Sequence, residues 1–174
     1  FRITFLHRYH LITCGTLLIK NKKEVIIKMK KYIKLLIIVI ITCLIIVGYL
    51  LHKSKKEHYI ETQEKRIDLY FKYNLNNYHS MKVTSFKKNP MGGYFIKGFV
   101  NNKKNYKFDA VIFSDTNKQF KGDLGYKEDE IGELFREKNA NDRLTVDEII
   151  EKEHLDKSEY EAEPPLFFFS GPLE

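Results

Sequence analysis

Three rhythms of apolar and polar positions follow one another along this chain, and each change of rhythm marks a new element. From Leu35 to Leu51 the run LLIIVIITCLIIVGYLL carries no charge over 17 residues. As a helix it rises about 26 Å, and Ile33 with a snorkelling Lys34 brings it near the ~30 Å hydrocarbon core of a bilayer. Beyond it, Ile60, Ile67, Phe71, Leu75 and Tyr78 recur at spacings of seven, four, four and three, one face of an α-helix. Glu61, Lys65, Asp68 and Lys72 fall on the opposite face, and Glu61–Lys65 and Asp68–Lys72 are i,i+4 pairs in the favourable order.

The period then drops to two. Met81 to Lys88 reads as a first strand, and NPMGG (Asn89 to Gly93) as a turn. Tyr94, Ile96, Gly98 and Val100 alternate with Phe95, Lys97, Phe99 and Asn101. After the turn NNKKN, Tyr106, Phe108, Ala110 and Ile112 alternate with Lys107, Asp109, Val111 and Phe113. After SDTN, Phe120, Leu124 and Tyr126 alternate with Gln119, Lys121 and Asp123. Four short strands joined by tight polar turns predict an antiparallel meander, and one helix ahead of it predicts an α+β domain with the helix on one sheet face. The more continuously apolar side (Tyr94, Ile96, Val100, Tyr106, Phe108, Ala110, Ile112, Phe120, Leu124) is assigned to the helix. The other side, Phe95, Lys97, Phe99, Lys107, Val111, Phe113 and Lys121, is lysine-dotted yet more aromatic than a purely solvated face needs. It is the candidate binding face, unless the acidic C-terminal helix or Phe167–Phe169 folds back over it.

Past Tyr126 the chain turns acidic. Residues 128–174 hold five basic and 15 acidic residues, against 13 and seven in 57–127. Ile131, Leu134 and Phe135 suggest a short helix. At LTVDEI, Thr145 and Glu148 form a capping box with Leu144 and Ile149 as its staple, a helix start, and that helix is expected to end near His154. SEYEAEPPLFFFSGPLE has prolines and no periodicity, and reads as a disordered or loosely docked tail.

The apolar run has three readings. A cleaved signal peptide needs a small-x-small site, which GYLLHKSKKEHY does not offer. A lipoprotein would use Cys43, but Thr42 is a poor neighbour and the following residues are apolar. An uncleaved anchor remains, exemplified by Leu35, Ile40, Cys43, Val47 and Leu51, with Tyr49 near one end. Lys30, Lys31 and Lys34 nearly balance Lys53, Lys55 and Lys56 across it, so orientation rests on the habit of short N-terminal tails to leave the following domain outside. Upstream, Lys22-Lys23-Glu24-Val25 can be encoded by AAAAAGGAGGTN, a ribosome-anchoring sequence three codons before Met29. Residues 1–28 are therefore expected to be a mistranslated leader; the alternative is a real amphipathic segment from Phe1 to Ile19. The expected organisation is leader 1–28, anchor with basic flanks 29–56, helix-plus-sheet domain 57–138, and acidic helix with flexible tail 139–174.

Partitioning changes the meaning of the net charge of +7. Residues 1–28 carry +5, residues 29–56 carry +6 and residues 57–174 carry −4, so the basicity belongs to the leader and the membrane flanks. Nucleic-acid binding loses its support. Both cysteines, Cys14 and Cys43, lie outside the domain, which excludes a disulfide framework and a cysteine metal site there.

No catalytic constellation emerges. His58, His79 and His154 fall on different elements without ligand spacing. Gly92-Gly93 has no P-loop Lys-Ser/Thr after it. Asp129, Glu130 and Glu133 lack EF-hand spacing and read as a solvated acidic face. Tyr94, Tyr106 and Tyr126 read as half-buried strand residues, and Ser114 and Ser170 have no partner histidine nearby. The expectation is a non-enzyme without cofactor or metal.

MKKYIKLLIIVII, KRIDLYFKYN (Lys65 to Asn74), NPMGGYFIKGFVNN (Asn89 to Asn102) and FKGDLGY (Phe120 to Tyr126) together resemble small membrane-anchored proteins of low-GC Gram-positive bacteria, catalogued as domain of unknown function 1433. The resemblance covers about residues 29–135. It implies a cystatin-like helix-plus-sheet domain, and it supplies no catalytic residues. Two functions fit. One is a membrane-anchored extracytoplasmic binding module that contacts a protein or peptide, in a narrower form an immunity-type protein sequestering a secreted toxin. The other is a structural or accessory subunit of a membrane complex, acting through its transmembrane helix.

Overall fold

The computed structural model describes residues 2–90 and 92–165. The chain divides into two units, residues 1–50 and 51–174. Helix α1 spans Arg2–Asn74, followed by β1 (Met81–Lys88), β2 (Tyr94–Val100), β3 (Lys107–Ile112), β4 (Leu124–Tyr126) and α2 (Val146–Lys152), with three single-turn 3₁₀ helices. In the first unit, Leu35, Ile40, Cys43 and Val47 are all solvent-exposed, as is Leu51 at the start of the second. The described residues include one helix long and apolar enough to cross a membrane.

In the second unit the four strands form an antiparallel sheet in the order β1-β2-β3-β4, a meander on an α+β plan. β1 has the bounds read for it in the sequence, and β2 follows the alternation from Tyr94 to Val100. Asn89 and Gly93 close the intervening turn, the Asn89 N–H donating to Gly93 O at 2.8 Å. The register pairs Phe86 with Ile96 and Ile96 with Ala110, so these share the face that α1 covers. Gly98 lies on that face by the same alternation, and the Phe108 ring over it leaves no room for a side chain. A Cβ there would come within 2.6 Å of that ring and 2.4 Å of Lys82 O.

Ile67, Phe71 and Leu75 are fully buried as their spacing predicts, and the exposed side carries the pairs Lys65–Glu61 (3.7 Å) and Lys72–Asp68 (2.6 Å). Phe71 packs edge-on against Phe108 at 5.1 Å between ring centres. The helix ends at Asn74, so Tyr78 lies beyond it. There it stacks on Phe71 and donates its hydroxyl to Asp68 at 2.5 Å.

Two expectations are corrected, the start of β4 and the looseness of the C-terminal segment. β4 does not begin near Gln119: Gln119 and Phe120 are adjacent and both buried, Gly122 has φ 146°, and pairing starts only at Ala110↔Leu124. The short helix expected around Ile131 is present as a single 3₁₀ turn (Gly132–Leu134), after which Phe135 bridges to Leu75. The C-terminal segment is not loose as far as Pro165, which is buried; Tyr160 and Ala162 pack on the core. The Phe167–Phe169 patch and Ser170 lie outside the described residues, as does Met91 of the turn.

The capping box is present in both directions: Glu148 N–H donates to Thr145 Oγ1 at 3.3 Å and Thr145 N–H to Glu148 Oε2 at 2.7 Å. The Thr145 N–H, and after it the Thr145 hydroxyl at 2.8 Å, donate to the Glu148 carboxyl and hold it below its ordinary pKa. The α2 helix starts there and buries Val146, Ile149 and Ile150.

Candidate functional site

The sheet has one face under α1 and one face open, and strand register assigns each side chain to its face. Cross-strand pairs put Lys82, Phe99 and Lys107 in one row, Ser85, Lys97 and Asp109 in the next, and Lys87, Phe95 and Val111 in a third. A register shift between Val83 and Ser85 keeps the β1 residues in phase with these rows. Phe113 follows Val111 by two residues, just past the end of β3. Phe95 is 38 % exposed and Phe113 46 %, and no other large hydrophobic beyond Leu51 is as exposed among the described residues. Lys97 and Asp109 pair across the face at 3.1 Å.

Six of the seven residues expected on this face (Phe95, Lys97, Phe99, Lys107, Val111 and Phe113) are therefore gathered as the alternation implies. Lys121 is not among them. It precedes the paired part of β4, its carbonyl accepts from Val146 N–H at 3.0 Å, and its Nζ lies 3.5 Å from Asp147 Oδ2. It belongs to the α2 side of the domain. Nor does α2 cover the open face; it lies against α1 and the loop before β4.

What holds α2 there is a buried polar cluster. Arg66, on α1, is 1 % exposed in its side chain; its Nε donates to Phe120 O at 2.7 Å, Nη1 to Tyr160 O at 3.1 Å and Nη2 to Asp147 Oδ1 at 2.5 Å. Gln63 accepts from Phe120 N–H at 2.8 Å and donates to Gln119 Oε1 at 2.6 Å, and Gln119 donates to Ala162 O at 2.7 Å. Asn74 bonds both the N–H and the C=O of Leu144. Arg143 stacks its guanidinium 3.6 Å over the Phe135 ring and donates to the Tyr126 hydroxyl at 2.7 Å. Among the described residues no buried side-chain nitrogen or oxygen lacks a partner. Burial raises the Asp147 pKa, but the Arg66 hydrogen bond and charge, helped by Lys121, outweigh it and hold the carboxyl below its ordinary value. Burial pushes the Tyr59 phenol well up, and its hydroxyl donates to Lys118 O.

Beside this cluster runs an open groove of about 1080 Å³, with Tyr94, Ser114, Thr116, Gln119 and Pro165 among its walls. Its charged groups include the pairs Lys121–Asp147 and Lys157–Glu161, the latter at 3.3 Å. His58, His79 and His154 are exposed and lie away from its walls. Among the described residues no group of three or more His, Cys, Asp or Glu could hold a metal ion. Tyr94 is fully buried, whereas Tyr106 and Tyr126 are half-buried, and Asp129 and Glu133 are exposed.

Helix, meander and polar cluster define an α+β domain with one covered and one open sheet face. The chain belongs to the family described as protein of unknown function DUF1433, whose model matches residues 59–152, more than half its length. The match starts at Tyr59 on α1 and runs through α2, so the capping-box helix falls within it. No curated protein and no solved structure matches the chain.

Proposed function

We propose that this protein is a membrane-anchored binding module whose extracytoplasmic domain, of the cystatin-like helix-on-sheet type, contacts a protein or peptide through its open sheet face. The observation that carries this reading is that face itself: Phe95 and Phe113 stand exposed on the domain, on the side that also holds Phe99, while α2 and the segment around Tyr160 are committed elsewhere. Exposed aromatics among lysines are costly to solubility and suit an interface. The exposed apolar stretch Leu35–Leu51 supports an uncleaved signal anchor. In the narrower, immunity-type form the partner is a secreted toxin, and a toxin gene beside this one would select it. The accessory-subunit alternative draws less support, because Leu35–Leu51 has no small-x-x-x-small pattern for close helix packing.

The test is cross-linked capture from intact cells with the full chain. Wild type retains a partner, whereas Phe99→Ala loses it with an unchanged urea midpoint. Equal capture by both would overturn the face assignment.

A further inference from the structure

Building on that binding reading, we infer that the occupant of the open face is an acidic protein segment with apolar anchor residues. Across β1, β2 and β3 the face presents four lysines, Lys82, Lys87, Lys97 and Lys107, and a single acid, Asp109, with Asp123 beside Val111 at its β4 margin. Asp109 is paired to Lys97, and among the described residues Lys82, Lys87 and Lys107 have no acidic partner. The whole of residues 57–174 carries −4, so this is a local reversal of sign, with the acids concentrated after residue 127. Complementary charge across an interface steers encounter and fixes register more than it adds raw affinity.

Two observations separate this from lysines placed only for solubility. Protective lysines gather on sheet edges, where they discourage edge pairing. Lys82 and Lys87 are on the edge strand β1, but Lys97 and Lys107 are on the interior strands β2 and β3. The lysines also bracket the aromatics. Phe99 lies between Lys82 and Lys107 in one row, and Lys87 flanks Phe95 in another. With strands ~4.8 Å apart and a rise of ~3.3 Å per residue, the two ammonium groups beside Phe99 are rooted about 10 Å apart and the two phenylalanines about 13 Å. A partner that seats apolar residues on Phe95 and Phe99 places its neighbouring side chains over lysines, and carboxylates satisfy them.

The test uses the full chain in a non-ionic detergent and two fluorescent 12-residue probes, four Glu-Phe-Glu repeats and four Lys-Phe-Lys repeats. Anisotropy is expected to show binding of the acidic probe only, weakened at least tenfold from 50 to 500 mM NaCl. Lys82→Glu with Lys107→Glu is expected to weaken it at least tenfold, while Lys65→Glu with Lys72→Glu on the exposed side of α1 leaves it within twofold. Equal binding of the two probes, no binding of the acidic one, or equal loss in both double variants overturns the inference. So does preferential binding to phosphatidylglycerol vesicles, which would make the occupant a lipid surface, or to a second copy of this chain by sedimentation. In the capture experiment, partner loss with Phe99→Ala but not with Lys82→Glu and Lys107→Glu keeps the binding face and rejects the acidic partner. Retention in both rejects the face as well.

Discussion

Arg66 Nη2 on α1 donates to Asp147 Oδ1 on α2 at 2.5 Å, and this bond fastens the C-terminal part of the domain to its first helix. Arg66 is buried while Asp147 is 41 % exposed in its side chain. Breaking a fully buried pair costs about 3–5 kcal/mol, and solvent screening of Asp147 reduces this, so Asp147→Asn should cost about 1–3 kcal/mol in urea melts. The folded-state pKa of Asp147 is depressed, so its contribution is present above the unfolded value and is lost as pH falls through the folded one. Wild type should therefore lose stability below about pH 4. Asp147→Asn should show a shallower acid limb, and parallel pH profiles would show that the pair does not stabilise the fold.

Phe71→Ala should cost about 3–5 kcal/mol, since the side chain is fully buried against Phe108 and Tyr78. Lys72→Ala, one residue on, should cost under about 0.5 kcal/mol because the lysine is exposed. Equal midpoints for the two variants would mean that the helix faces are exchanged.

Gly98→Ala probes the contact between β2 and Phe108. The new methyl collides with a backbone carbonyl as well as a ring, so relaxation must shift β1 or Phe108. A loss of about 1–3 kcal/mol is expected, and a melt indistinguishable from wild type would contradict the register of Gly98 with Phe108.

Ending the chain at residue 139 removes Val146, Ile149 and Ile150 from the core and every partner of Arg66 except Phe120. The shortened protein should lose its cooperative urea transition and bind a hydrophobic dye. A folded monomer would show that the segment is dispensable.

Fractionation should recover the full protein with membranes, resistant to carbonate and high salt and released by detergent, because Leu35–Leu51 is uncharged. Protease added to protoplasts should degrade the domain. Soluble recovery would refute the anchor, and full protection would refute the orientation.

The meander was legible because β2 and β3 alternate and β1 and β2 are joined by a turn rich in Pro and Gly. The open face followed from the same alternation. β4 was misread at its start because α1 side chains, not a neighbouring strand, satisfy the backbone of Phe120. That substitution leaves no period-two signature. The buried polar cluster escaped for a related reason: Arg66, Gln63 and Asn74 are residue types that usually face water. A trace was present, since Tyr59, Gln63, Arg66, Tyr70 and Asn74 recur at spacings of four, three, four and four, a second helical stripe beside the apolar one. Its partners lie 54 to 94 residues away, and nothing local announces them.

That long reach has a consequence for synthesis. Arg66 is joined to Tyr160 across 94 residues, so at about 5–20 residues per second the guanidinium waits on the order of 5–20 s after translation before its last partner exists. Until then Ile67, Phe71 and Leu75 have at most part of their covering, and the nascent helix is a natural client for chaperones. The domain cannot mature from its N-terminal end onward. Its core is complete only when the strap that carries Asp147 and Tyr160 has emerged, and a ribosome stalled before that point leaves a sticky half-built core.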